Sequence, residues 1–116
     1  MPEFPLVDHT VFDDLVDFIG AAAARSVLDL FLGEARALAT TIAEAAPGDA
    51  AGRETVRRAA HSLKSSAGQI GAAALSAAAA AVEHSAAQAA AELPAQIAEL
   101  ARCAAETDAA LRALPV

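Results

Sequence analysis

The amino-acid sequence predicts an all-α fold, and three observations support this prediction. Alanine, the strongest helix former, accounts for 36 of the 116 residues. Aromatic residues make up only 3% of the chain, and no stretch keeps the alternation of apolar and polar side chains that is typical of a β-strand. Four long amphipathic stretches are joined by short connections. We therefore predict an antiparallel up-down-up-down four-helix bundle with a short N-terminal helix that caps it.

The first two predicted helices are separated by Gly20. Thr10 is followed by several aspartates, and a hydroxyl cap before early carboxylates favours a helix start, so a short helix is predicted over residues 10–19. A second helix is predicted over residues 21–45, ended by Pro47 and Gly48. Its inward face is expected to consist of Leu28, Phe31, Ala35, Leu38 and Ile42.

The last three helices are also bounded by recognisable signals. Asp49 is suited to cap the third helix, Gly71 to turn the chain into the fourth, and Pro94 to occupy the first turn of the fifth. The predicted ranges are 50–70, 72–90 and 93–113. The expected inward faces are Leu75, Ala79, Val82, Ala86 and Ala89 in the fourth helix, and Leu93, Ile97, Leu100, Ala104, Thr107, Leu111 and Leu114 in the fifth.

Length, charge and cysteine content restrict the possible functions. A chain of 116 residues has room for a single domain, here residues 1–116. Its net charge of −7 argues against nucleic-acid binding. Cys103 is the only cysteine, which excludes an internal disulfide and a cysteine-based zinc site, so we expect it to pack as a small apolar group. Without a signal peptide or a long apolar segment, the chain is expected to be a soluble cytoplasmic protein that does not bind membranes.

Half of the eight basic residues lie within residues 53–64, around His61. If this segment is helical, His61, Lys64, Ser65 and Gly68 share one stripe. The opposite stripe is apolar and is expected to face the core: Val56, Ala60, Leu63, Ala67 and Ile70. His61 should therefore point outward beside a cation and among small residues, as suits a side chain presented to a partner. A solvated helix face is the alternative. Of the other two histidines, His9 is expected to be a solvated or capping residue before the first helix, and His84 is expected to face solvent.

The segment that begins His61-Ser62-Leu63-Lys64-Ser65 and continues to Gly71 resembles the signature of histidine phosphotransfer (Hpt) domains of multistep two-component signalling. That signature reads His-x-Leu-Lys-Gly, followed by small residues and a glycine ten positions after the histidine. The resemblance extends to Arg57-Arg58-Ala59-Ala60 before the signature and to the Val82-Glu83 pair after it. The departure is Ser65, where the family has glycine, and a serine there would narrow the approach of a partner slightly.

The resemblance implies a phosphocarrier without kinase activity of its own, and a role for each site residue. His61 would accept a phosphoryl group on Nε2, Glu83 would orient the ring through Nδ1, and Lys64 would stabilise the phosphoryl charge. An ordinary solvated carboxylate is the alternative for Glu83. The implied partners are response-regulator receiver domains and a sensor or hybrid histidine kinase. The residues expected to contact them are Arg53, Arg57, Ala60, Ser65, Gly68 and Gln69.

The implied cofactor lies outside this chain. Mg²⁺ and the acceptor aspartate would belong to the partner receiver domain, and no cluster of acids near His61 predicts a metal site here. A monomer is expected, since one chain supplies all four long helices. The main alternative function is an adaptor bundle that binds a kinase or receiver domain without carrying phosphate. A lipid-associated helical protein is disfavoured by the small number of basic residues.

Overall fold

A computed structural model describes residues 4–116, and within that range the chain forms five helices and no strand. The all-α prediction is therefore confirmed. The helices are α1 (His9–Ile19), α2 (Ala21–Glu44), α3 (Ala50–Ile70), α4 (Ala73–Gln88) and α5 (Leu93–Arg112). In each helix, both ends lie within two residues of the predicted ones.

Two aspartates cap the N-termini of α1 and α3. Asp49 was predicted, and its Oδ1 accepts a hydrogen bond from the backbone N–H of Gly52 at 2.7 Å. At α1 the predicted cap, Thr10, is wrong. Asp8 takes that position, and its Oδ1 accepts from the N–H of Thr10 at 3.1 Å. An aspartate two residues earlier serves better because its carboxylate also interacts favourably with the positive end of the helix dipole.

Gly71 ends α3, as predicted, and it also anchors the N-terminal segment. Its φ of 87° lies in the left-handed region that favours glycine. The N–H of Asp8 donates to the carbonyl oxygen of Gly71 at 2.6 Å, and the N–H of Ala74 donates to that of Pro5 at 2.9 Å. The turn between α3 and α4 therefore holds the start of α1 against the bundle.

The end of α4 differs from the prediction. Ala89 was expected to face inward, but it is exposed and adopts a left-handed φ of 50° as the C-cap. The helix thus stops at Gln88, and the helical period that placed Ala89 on the inward face no longer applies there. A run of alanines contains no residue that ends a helix, so the prediction from the sequence overestimates the length of this helix.

The four long helices pack in a cyclic order, in which α3 contacts α2 and α4, and α5 contacts α4 and α2. Helix α1 contacts α2 and α3. The largest fully buried side chains come from all four long helices: Leu28, Ile42, Val56, Leu63, Leu75, Val82, Leu100, Thr107 and Leu111. Among residues 4–116, no helix combines the length and the hydrophobicity needed to cross a membrane.

The contact between α3 and α4 is the most extensive in the molecule. Alanines with no exposed surface occur in both helices, including Ala60 and Ala67 in α3 and Ala79 in α4. Because methyl groups fill little space, they allow two helix axes to approach closely. This close approach brings polar side chains at the outer edge of the two helices within hydrogen-bonding distance of each other.

Candidate functional site

His61 lies in the middle of α3, on the edge that faces α4, and 57% of its side chain is exposed. The residues that flank its stripe toward the interior, Ala60 and Leu63, have no exposed surface. The predicted outward orientation of His61 is therefore confirmed. The buried neighbours fix the backbone beneath the imidazole, while the ring itself remains accessible.

Glu83 of α4 binds the ring of His61. The distance between Nδ1 of His61 and Oε2 of Glu83 is 2.8 Å. An ionised carboxylate can only accept hydrogen bonds, so Nδ1 carries the proton in this contact. In the neutral imidazole Nε2 then has a free lone pair, which makes it the nucleophilic nitrogen.

Lys64 binds the other oxygen of the same carboxylate. Its Nζ lies 2.7 Å from Oε1 of Glu83, and the side chains of Lys64 and Glu83 are 35% and 20% exposed. The hydrogen bond from Lys64, followed by the one from His61, lowers the pKa of Glu83 below its ordinary value of 4.5, against the opposing effect of burial. Glu83 is therefore ionised at neutral pH and lies between a cation and the imidazole.

The arginines predicted near His61 are bound to other groups. Arg57 donates from Nε and Nη2 to the carboxylate of Glu54 at 2.9 and 2.5 Å, and Arg58 donates to it at 3.1 Å. These bonds lower the pKa of Glu54 to about 2. Pairing with Glu54 raises the pKa of Arg57, to which the Glu83 carboxylate adds a weaker effect. Arg53 donates to the carbonyl of Gly48 at 3.4 Å. Lys64 is thus the basic residue of this cluster that contacts the His61–Glu83 pair.

The surface beside His61 is formed by small and polar residues. Ser65, Gly68 and Gln69 are exposed and follow His61 along α3. Ala60, by contrast, has an exposure of 0% and packs in the core. The assignment of Ala60 to the partner-binding surface is therefore wrong. Adjacent residues of a helix point about 100° apart, so the residue before an outward histidine faces a different direction.

Packing does not require glycine at position 68. A Cβ atom built there would have Oγ of Ser76 as its nearest neighbour, at 3.6 Å, which is an ordinary van der Waals distance. Since a glycine in a helix interior lowers stability relative to alanine, its presence needs another reason. Access for a partner is consistent with its exposed position.

Sequence reasoning missed two side chains that connect α3 to its neighbours. Ser76 of α4 donates from Oγ to the main-chain carbonyl oxygen of Lys64 at 2.9 Å. Ser66 of α3 donates to Oε1 of Glu34 in α2 at 2.7 Å. The available signal was a hydroxyl within the alanine-rich α4, seven residues before Glu83 and therefore on the same face.

The described part of the chain holds no group of three or more His, Cys, Asp or Glu side chains placed to bind a metal ion. The site consists of an exposed imidazole, a carboxylate hydrogen-bonded to it and one ammonium group.

The family of this chain follows from its sequence. The sequence model of the Hpt domain matches residues 26–114, which is most of the chain. The chain belongs to the Hpt domain family.

The Hpt domain has a histidine phosphotransfer role in phosphorelays, as a phosphocarrier between kinases and receiver domains. The fold of this chain is similar to that of histidine-containing phosphotransfer protein B (HptB) from Pseudomonas aeruginosa PAO1, as seen in its crystal structure. The TM-score is 0.83 and the sequence identity is 22%. The similarity covers 93% of this chain and 92% of HptB. No curated protein matches the chain at a significant level.

Proposed function

We propose that this Hpt domain carries a phosphoryl group on Nε2 of His61, between a sensor or hybrid histidine kinase and the aspartate of a response-regulator receiver domain. The observation that supports this most strongly is the 2.8 Å contact between Nδ1 of His61 and Glu83, on a ring that is 57% exposed. The contact leaves Nε2 as the nitrogen with a free lone pair, and the exposure leaves the ring open to another protein.

The proposed step is a direct transfer of the phosphoryl group from the aspartate of a receiver domain to His61. The Nε2 lone pair attacks the phosphorus of the donor's acyl phosphate, an N–P bond forms, and the P–O bond to the donor aspartate breaks, which releases its carboxylate. The imidazole becomes positively charged as it attacks, while Nδ1 keeps its proton. Glu83 stabilises that charge through the hydrogen bond it already accepts. The reverse reaction uses the same groups.

Lys64 is proposed to stabilise the phosphoryl oxygens. Its ammonium group contacts Glu83, which also contacts the ring, so the cation lies beside the histidine before any phosphate arrives. Phosphoryl transfer depends on positioning and charge stabilisation. The remaining requirements, an acceptor aspartate and Mg²⁺, are assigned to the partner receiver domain, and this chain is proposed to have no kinase activity of its own.

The proposed docking surface consists of Ser65, Gly68 and Gln69, with Arg57 and Arg53 at its edge. The first three are exposed and lie along α3 beyond His61. Small side chains permit close approach of another surface to the imidazole. We propose that the domain acts as a cytoplasmic monomer that binds neither nucleic acid nor membranes, consistent with its net charge of −7.

The four long helices are proposed to run up-down-up-down. Contacts between α3 and α4 support antiparallel neighbours, because His61 contacts Glu83 whereas the later residue Gly68 lies near the earlier residue Ser76. The connections between successive long helices are short, as such a bundle requires. Helix α1, which contacts α2 and α3, is proposed to cap this arrangement.

The test is phosphotransfer from the receiver domains of the source organism, phosphorylated with acetyl phosphate. His61→Gln should abolish acid-labile, base-stable labelling of this chain and leave its far-UV helicity unchanged. His84→Gln is the matched control, because His84 is also exposed and follows Glu83 directly, and it should be labelled like the wild type. Labelling that persists in His61→Gln would refute the proposal. Receiver binding without any labelling of the wild type would favour the adaptor function.

A further inference from the structure

Ser76 connects the two helices that form the His61–Glu83 pair. Its hydroxyl is partly buried between α3 and α4 and donates to the main-chain oxygen of Lys64 at 2.9 Å. Lys64 follows His61 by three residues in α3, and Glu83 follows Ser76 by seven residues in α4. Three residues are about one helical turn and seven are about two turns, so all four residues lie along one edge of the α3–α4 contact.

The acceptor of this bond is a fixed point of α3. A main-chain carbonyl moves only with its helix, unlike the end of a flexible side chain, and it has a second lone pair for the serine hydroxyl besides the one used within the helix. The bond therefore restrains both the translation of α4 along α3 and its rotation. Ser76 and Glu83 lie on the same face of α4, about 10 Å apart along the helix axis.

Among the described residues, the other side-chain bonds between α3 and α4 are the two that Glu83 accepts from His61 and Lys64, and both end on the flexible side chain of Glu83. The rest of this contact consists mainly of apolar packing. Several of its buried side chains are alanines, such as Ala67 and Ala79, and methyl groups pack closely without the directionality of a hydrogen bond. The distance between Nδ1 of His61 and Glu83 is 2.8 Å, and such bonds weaken beyond about 3.2 Å. A displacement of α4 by well under 1 Å is therefore enough to weaken the contact that orients the imidazole.

We propose that Ser76 is a positioning residue for phosphorylation of His61. It anchors α4 to the backbone of α3 and thereby holds Glu83 at hydrogen-bonding distance from Nδ1. The kinetic part of this inference rests on the proposed function of His61, whereas the effect on the imidazole does not. Ser76 touches neither the ring nor its carboxylate partner and acts through Glu83.

The decisive experiment measures the ¹⁵N chemical shifts of the His61 ring at about pH 8.5 and again about one pH unit higher, to confirm that the shifts no longer change with pH. The wild type should show a protonated Nδ1 and a bare Nε2. Glu83→Ala should shift the ring toward the tautomer protonated on Nε2, and Ser76→Ala should shift it part of the way. Ser76→Thr, which keeps the hydroxyl, should restore the wild-type shifts. Ser66→Ala is the matched control, because it removes a hydroxyl bond between α3 and α2, and it should leave the ring unchanged.

A kinetic arm uses phosphoramidate, a small phosphodonor that needs no docking surface. Ser76→Ala should slow labelling of His61 about threefold or more in the wild-type background and by less than twofold in the Glu83→Ala background, because residues that act through one another are not additive. Wild-type ring shifts in Ser76→Ala, or equal slowing in both backgrounds, would overturn the inference. Failure of His61→Gln to abolish labelling would instead refute the proposed function.

Discussion

Alanine substitutions at Gly68 and Gly71 are predicted to change stability in opposite directions. The two glycines lie three residues apart at the end of α3, but their environments differ. A Cβ atom at position 68 would make one ordinary contact, 3.6 Å from Oγ of Ser76. A Cβ atom at position 71 would lie 2.8 Å from the carbonyl oxygen of Asp8, on a backbone with φ of 87°. The first substitution removes a helix-breaking residue, and the second introduces strain.

The magnitudes follow from these environments. Gly68→Ala should raise the free energy of unfolding by about 0.5–1 kcal/mol, the usual advantage of alanine over glycine inside a helix. Gly71→Ala should lower it by about 2–3 kcal/mol, from about 1–2 kcal/mol of left-handed strain and about 1 kcal/mol for the weakened bond between Asp8 and Gly71. For a domain of this size the melting temperature should rise by about 2–5 °C in the first variant and fall by about 10 °C in the second.

The assay is thermal and urea denaturation of the three proteins, followed by far-UV circular dichroism. The urea m-value should be the same in each, so that the midpoints report stability alone. A Gly68→Ala variant that is less stable than the wild type would refute the reasoning, because it would mean that α3 and α4 need glycine for their approach. A Gly71→Ala variant as stable as the wild type would show that the N-terminal segment is not anchored at this turn.

Gly68→Ala also separates stability from function. If the open stripe beyond His61 is the docking surface, the added methyl group should slow transfer from a phosphorylated receiver domain although the protein is more stable. Phosphoramidate provides the control, since labelling by a small donor should be unaffected. Equal slowing with both donors would place the effect of the methyl group on the imidazole itself.

Four further substitutions test the site and its scaffold. Glu83→Ala should slow phosphorylation of His61 ~10-fold or more, because the ring loses the acceptor that keeps Nε2 free. Glu83→Gln should lower the free energy of unfolding at pH 7 by under about 1 kcal/mol. The folded-state pKa of Glu83 is lowered, so this difference should be present above pH 4.5 and vanish as the pH falls through the folded pKa. Lys64→Gln should raise the pKa of Glu83 toward 4.5, measured by ¹³C NMR of its carboxyl, because Lys64 is the largest cause of its depression. Asp49→Ala should cost about 1 kcal/mol in urea denaturation through loss of the α3 cap.

Each of these has an outcome that contradicts it. Unchanged phosphorylation in Glu83→Ala would make Glu83 an ordinary surface carboxylate. A stability difference for Glu83→Gln that stays the same at every pH from 7 into the acid range would mean that ionisation of the carboxylate contributes nothing to it. An unchanged pKa of Glu83 in Lys64→Gln would show that the ion pair with Lys64 does not lower that pKa. Full stability of Asp49→Ala would show that the cap of α3 is dispensable.

The sequence predicted most of the fold because its helices are bounded by residues with specific local roles. Asp49, Gly71 and Pro94 each act through their own backbone or side chain, so their effect can be read without knowing the tertiary structure. The inward stripe of α3 was equally legible, since Val56, Leu63 and Ile70 repeat at the helical period and are all buried. Ala89 was misplaced because alanine suits the interior, the surface and the helix end alike.

The candidate site was predictable to the extent that it follows from one helix. The exposure of His61 and the nearness of Lys64 result from spacing within α3, whereas the position of Glu83 depends on how α4 packs. Family resemblance supplied Glu83, and the 2.8 Å contact is in line with it. The role of Ser76 could not be predicted, because its partner is a main-chain atom of another helix. Ala60 was assigned to two faces at once, which a single helical turn excludes.

The sharing of Glu83 between Lys64 and His61 limits how tightly a phosphate could be held. With no phosphate bound, the carboxylate and the ammonium group neutralise each other. An arriving phosphoryl group brings about two negative charges and must compete with Glu83 for the same lysine. A phosphocarrier with several cations that are not paired with a carboxylate would bind the phosphoryl group so firmly that its transfer became slow. Under the proposed function, the shared lysine would keep the group-transfer potential of the phosphorylated form high, which would favour a relay that can run in either direction.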